Sequence, residues 1–168
     1  MDNMIRDVMR DSLQGFSLPK YDDIPDVGLY LEQTAKYVSQ CLSPLEGVSI
    51  TTSMISNYVK RGLIDSPKKK QYDRDRIAYI IYIAAVKNVL TIDEIQKTVG
   101  IQKNSYPAKV AYDYFASEFE NVLQYVFGIK ESLDNVGVEN TDEKIMLRNT
   151  IITAAHKIYL DKLFAVMG

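Results

Sequence analysis

The sequence predicts a mainly α fold: a helix-turn-helix with a small β-hairpin wing, followed by additional C-terminal helices. Three observations predict it. Apolar side chains recur at i, i+3, i+4 and i+7 in stretch after stretch, as in helices with one buried face. Most of these stretches are opened by Thr, Asp or Asn and closed by Gly or Pro, the residues that start and stop helices. One segment, Leu63 to Tyr72, is too short and too rich in Pro and Lys for a helix, and two brief strands around Ser66-Pro67-Lys68-Lys69 would make it a hairpin.

Each element follows from its residues. Met1, Met4, Ile5, Val8, Met9 and Leu13 form the apolar stripe of a first helix. Its polar side holds Asp2, Arg6, Asp7, Arg10 and Asp11; that mixture of signs suits packing on the body or on a second subunit better than a membrane surface. Gly15, Pro19 and Pro25 make residues 15–26 a loop. Asp26 is the candidate cap of the next helix, which runs to about Leu42 with Leu29, Tyr30, Ala35, Tyr37 and Val38 as apolar positions. Ser43-Pro44-Leu45-Glu46-Gly47 breaks it.

Thr51 or Thr52 then opens a short helix. Met54, Ile55, Tyr58 and Val59 turn inward, and Thr52, Ser53, Ser56, Asn57 and Lys60 turn out. Gly62 ends it in the left-handed conformation that glycine tolerates. After the hairpin, Asp73 caps a helix with Ile77, Ile80, Ile81 and Ala84 as its stripe. Tyr79, Tyr82, Ile83, Ala85 and Val86 make it apolar nearly all round, so it is expected to be buried on several sides. Thr91-Ile92-Asp93-Glu94 is a capping box, opening a helix that carries Ile92, Ile95 and Val99 and stops at Gly100.

From Pro107 the texture changes. Val110, Tyr114, Phe115, Phe119, Val122, Leu123, Val126 and Phe127 give a long aromatic helix ending at Gly128. Asn135 to Asn140 reads as a turn. Asn140, with Glu143 three residues on, opens a last helix to about Met167 with Ile145, Ile151, Ile152, Ala155, Ile158, Tyr159, Leu163 and Val166 as its stripe. The chain therefore divides into an N-terminal helix and loop (1–25), the winged helix-turn-helix region (26–106), whose expected role as the DNA-binding domain rests on the charge and residues set out below, and a C-terminal helical region (107–168), expected to serve dimerisation or an effector.

Composition bounds the function. One Cys (Cys41) and one His (His156) exclude an internal disulfide framework and a Cys/His zinc site. The single Cys and the lack of a signal peptide point to a reducing cytoplasm. No uncharged apolar run approaches the roughly 20 residues that span a membrane. The net charge of −2 hides an asymmetry: residues 49–106 hold ten basic and five acidic side chains, between acidic flanks. Such a local basic patch can meet phosphates even in a mildly acidic chain.

A helix-turn-helix braces one helix against the DNA backbone and lays the next in the major groove. The helix from Thr52 to Arg61 suits the second role. Thr52, Ser53, Ser56 and Asn57 are short polar groups on its outer side, suited to base edges. Lys60 and Arg61 at its end, Lys68, Lys69 and Lys70 in the hairpin, and Arg74 and Arg76 beyond would meet phosphates.

At these residues the chain resembles a known class. The string Ser56-Asn57-Tyr58-Val59-Lys60-Arg61-Gly62-Leu63-Ile64, then Lys69-Lys70-Gln71-Tyr72, then an apolar helix, then Leu90-Thr91-Ile92-Asp93-Glu94-Ile95, looks like the winged-helix domain of MerR-type bacterial regulators. Tyr58, Gly62, Leu63, Tyr72, Glu94 and Ile95 match that pattern, over residues 50–99. Over a longer span, from Leu18-Pro19 through Ile50-Thr51-Thr52-Ser53-Met54-Ile55-Ser56-Asn57-Tyr58-Val59-Lys60 to the helix at Ile77, the chain resembles the bacterial family designated domain of unknown function 1836. The resemblance implies a MerR-like DNA-binding fold and a regulatory role, with no ligand or operator. It also has departures. Ser56 and Asn57 stand where MerR-type helices carry Arg-Tyr, and Lys70 replaces the wing Arg, a point charge in place of a fork. The connection through Pro44 to Gly47 is longer, and neither a Cys cluster nor a sustained heptad repeat follows Gly100, so metal sensing is not implied.

The expectation is thus a transcription regulator that binds double-stranded DNA and dimerises through its last two helices. A small-molecule effector pocket along the aromatic stripe is a further option. The alternative is a protein-interaction adaptor that reuses the fold without binding DNA. Tyr58 and Tyr72 read as packing residues, Cys41 as a small core residue, and His156 as a packed or exposed histidine. Asp22-Asp23 and Asp142-Glu143 read as a loop and a helix N-terminus rather than metal ligands. No catalytic constellation and no cofactor are expected.

Overall fold

A computed structural model describes residues 2–135 and 140–168. Its helices are α1 (Asn3–Ser12), α2 (Leu31–Cys41), α3 (Thr52–Lys60), α4 (Arg74–Val86), α5 (Ile92–Ser105), α6 (Ala108–Val126) and α7 (Asp142–Met167), with a short 3-10 turn at Tyr21–Asp23. The chain is mainly α, as its periodicity predicts. Among the described residues there is no strand, so the expected β-hairpin wing is absent. The turn predicted at Asn135 to Asn140 falls largely on residues 136–139, which lie outside the described residues.

The local start signals are largely where the sequence puts them. Thr51 Oγ1 accepts from Met54 N at 3.1 Å to open α3. Asp73 Oδ1 accepts from Arg76 N at 3.0 Å to open α4. Thr91 and Glu94 close their capping box at α5. Three boundaries differ. α2 begins at Leu31, with Gln33 Oε1 accepting from Tyr30 N, because Leu29 is held in an extended pairing with Tyr72. Asp26 caps nothing and instead lies 3.7 Å from Arg74. α5 runs through Gly100 to Ser105: a mid-helix glycine costs only about 1 kcal/mol relative to alanine, and Gln102 anchors the last turn by bonding Tyr79 and the Tyr106 carbonyl. At α7 the cap is Thr141 rather than Asn140.

The core runs unbroken from Met9 to Leu163. α4 lies at its centre, packing against α2, α6 and α7, and eight of its thirteen residues are buried. α6 and α7 pack along each other, α1 packs on α7, and α3 packs on α2. The 15–26 loop is pinned to α6: Leu18 N donates to Glu120 at 2.7 Å, Tyr21 N to Asp113 at 2.8 Å, and Tyr112 Oη to the Pro19 carbonyl at 2.7 Å.

Candidate nucleic-acid interface

Burial sorts the residues of α3 by side. Ile55 and Tyr58 are buried, Met54 and Val59 half-buried, and Ser53, Ser56, Asn57 and Lys60 exposed, as the spacing predicts; Thr52 is half-buried. The helix stops because Gly62 takes φ +79°, letting Leu63 N bond back to the Tyr58 carbonyl at 2.9 Å. Leu63 and Ile64 then enter the core, so a short anchored link joins α3 to the basic segment. Tyr58 and Tyr72 are packing groups, 6% and 4% exposed, and burial pushes both phenols up from their ordinary pKa.

The basic segment is a tight turn. Lys68 N donates to the Gln71 carbonyl at 3.1 Å and Gln71 N to the Lys68 carbonyl at 2.9 Å, closing a two-residue loop of Lys69 and Lys70. Both loop residues have positive φ, +50° and +64°, as in a type I′ turn, whose usual occupants are Asn and Gly. No ladder extends from it, for reasons on both sides. On one side, Pro67 has no N–H to donate, and the Asp65 and Ser66 carbonyls accept from Arg76 Nε at 3.2 and 3.1 Å. On the other, Tyr72 exchanges both its backbone bonds with Leu29 instead.

The predicted phosphate-facing residues therefore separate into two groups. Lys60, Arg61, Lys68, Lys69 and Lys70 are exposed. Among the described residues, none of their side chains, nor those of Ser53, Ser56 and Asn57, is engaged in a hydrogen bond or ion pair. Arg74 and Arg76 instead direct their guanidinium groups inward. Arg74 donates to the Ile24 carbonyl at 2.8 Å and the Asp22 carbonyl at 3.1 Å, and lies over the Tyr21 ring. Arg76 also donates to Asp73 and again to the Ser66 carbonyl, both at 2.8 Å, and its side chain is only 12% exposed. Both are clamps that hold loops to α4. Arginines with donors so committed are poorly placed to reach a phosphate.

What sequence reasoning missed is the backbone of Lys69-Lys70, since lysine carries no local preference for positive φ. The clamp partners of Arg74 were also illegible: Ile24 and Asp22 lie 50 and 52 residues away. His156 is exposed and Cys41 half-buried. Among the described residues no group of His, Cys, Asp and Glu is placed to hold a metal ion, and no helix is long and apolar enough to cross a membrane.

Fold and site together define an all-helical protein that presents one short helix with an exposed polar side, followed by a lysine-tipped turn. The chain belongs to the family described as Domain of unknown function (DUF1836), whose model matches residues 19–115, more than half of its length and all of α2 to α5. No curated protein and no solved structure matches the chain. The resemblance to MerR-type domains finds no support, since among the described residues no strand is present to build a wing.

Proposed function

We propose that the protein is a DNA-binding transcription regulator of the cytoplasm that lays α3 in the major groove of duplex DNA. Ser53, Ser56 and Asn57, with Thr52 at the margin, face base edges; Asn57 suits adenine, which asparagine reads with two hydrogen bonds. Lys60, Arg61 and the turn of Lys68, Lys69 and Lys70 neutralise phosphates and set the register without reading sequence. The observation that carries the reading is the turn. Two lysines occupy both positive-φ positions, where an uncharged Asn-Gly pair would sit with less strain. Strain kept at a fixed site is a reason to look for function there, and what these residues add over Asn-Gly is charge.

The same reading calls for a dimer, because one nine-residue helix offers few base contacts. α6 buries Phe115, Phe119, Val122 and Leu123 in the core, and α7 offers the contact: Leu160, Phe164 and Met167 are exposed at helical spacing. A two-fold dimer would set half-sites about 34 Å apart or at a multiple of that spacing.

Fluorescence anisotropy of the full chain with a mixed-sequence duplex, titrated with salt, tests the proposal. Binding should weaken steeply with salt, and K68A/K69A/K70A should flatten the log–log slope by roughly 2–3 units. No binding even at low salt would overturn the proposal and leave the fold to an adaptor role.

A further inference from the structure

We propose that a hollow between α4, α5, α6 and α7 is a binding site for a small, flat, uncharged aromatic molecule. The inference does not depend on DNA binding, since neither α3 nor the basic turn contributes to the hollow.

The hollow measures about 160 Å³. A cavity of roughly 150 Å³ lined by apolar side chains takes up benzene, so one or two fused rings suit this one. It exists because Ala78 on α4 and Ala108 and Ala111 on α6 contribute only methyl groups where the surrounding wall is built of rings. Tyr82 and Phe115 meet edge to face there, with centroids 5.2 Å apart, and present aromatic surface of the kind that packs another ring.

The chemistry of the wall sets the class of ligand. Its inner polar groups already satisfy one another: Tyr79 Oη donates to Gln102 Oε1 at 2.7 Å, Gln102 Nε2 donates to the Tyr106 carbonyl at 2.8 Å, and the Tyr82 and Thr98 hydroxyls share a bond of 2.9 Å. A charged ligand would lose its hydration there without recovering it. Burial raises the pKa of Tyr79 and Tyr82, so both phenols stay neutral at physiological pH. The ionic groups of the wall, Glu143 and Lys144, are adjacent and opposite in sign, so together they offer no net charge. The site is reachable: Ile101 and Val110, which also line it, are 38% and 52% exposed.

The protein contains no Trp, so indole can be excited selectively where tyrosine does not absorb. Titrating the full chain into indole should give a saturable blue shift of indole emission, with a dissociation constant below about 1 mM. Toluene should displace the indole and benzoate should not. A111L and A108L, which fill the hollow from two half-buried positions, should each weaken indole binding at least tenfold while thermal melting stays close to that of the parent. Two independent variants keep the test valid if one fails to fold. Absence of a saturable shift, equal binding by a folded filled variant, or displacement by benzoate as effective as by toluene would each overturn the proposal.

Discussion

Replacing Lys69-Lys70 by Asn-Gly should move stability and DNA affinity in opposite directions. In the parent, both residues hold positive φ, +50° and +64°. The left-handed region costs an L-residue roughly 1–2 kcal/mol, so the pair stores about 2–4 kcal/mol. Asn and Gly are the favoured occupants of this turn, but Gly returns about 0.5–1 kcal/mol through the freedom it gives the unfolded chain. The variant K69N/K70G should therefore gain about 1–3 kcal/mol, which for a chain of this size raises Tm by about 3–9 °C. Urea denaturation followed by helical circular dichroism, with tyrosine emission as a second probe, measures the gain. The same variant loses two cations, and its salt-dependence slope on duplex DNA should flatten by roughly 2 units. K69A/K70A separates the effects, since it removes both charges but keeps β-carbons at positive φ: it should show the same loss of DNA binding without the gain in stability. Unchanged stability in K69N/K70G would refute the strain argument. A stabilised K69N/K70G with an unchanged salt slope would refute the link between the lysines and phosphate.

Two further perturbations probe the scaffold. R76A removes an ion pair to Asp73 and the bonds to the Asp65 and Ser66 carbonyls from a side chain only 12% exposed. It should cost about 2–4 kcal/mol in urea denaturation, and R76K should recover less than half, because an ammonium cannot span both partners as the fork does. Glu118 is buried on α6, with Arg148 Nε 3.6 Å from one carboxyl oxygen and, among the described residues, no hydrogen bond to the other. Burial raises its pKa and Arg148 only partly opposes the shift. The folded state therefore holds this proton more tightly than the unfolded chain does. The contribution to stability is complete below the ordinary carboxylate range and is lost as pH rises through the raised pKa. E118Q carries no such titration, so its stability relative to the parent should improve with rising pH in a series of urea midpoints. Parallel pH profiles would show that the carboxyl titrates normally.

The sequence made the local physics legible. Thr51, Asp73 and Thr91 open helices because a side-chain oxygen reaches an N–H three residues on, a relation visible in the string itself. The all-round apolar pattern of Ile77 to Val86 announced a buried α4, and the division of α3 into a packed and an exposed side followed from spacing alone. What was hidden depends on distant partners. Asp26 has the chemistry of a cap, yet Leu29 is drawn into pairing with Tyr72, and the helix starts late. Arg74 and Arg76 carry the charge expected of phosphate ligands, but carbonyls of Asp22, Ile24, Asp65 and Ser66 take up their donors. The hollow beside α4 was hidden for a similar reason: the space left by Ala78, Ala108 and Ala111 shows only once the rings around them are placed.

The basic turn shows why a charge run could be read correctly while its shape was not. Lysines exert no local pull toward positive φ, so the turn must be imposed from outside. Two constraints impose it. Before the turn, Arg76 fixes the Asp65 and Ser66 carbonyls against the start of α4; after it, Tyr72 is bonded to Leu29 through both backbone groups and is buried. Five residues, 67 to 71, must reverse direction between these anchors, and the pair of bonds between Lys68 and Gln71 is the tight closure that does so. The geometry would thus persist with residues better suited to it, which is why Asn-Gly is expected to stabilise the fold rather than rearrange it. Since the scaffold determines the shape, the lysines are not required for the turn to form, and their contribution is the charge they hold at its tip.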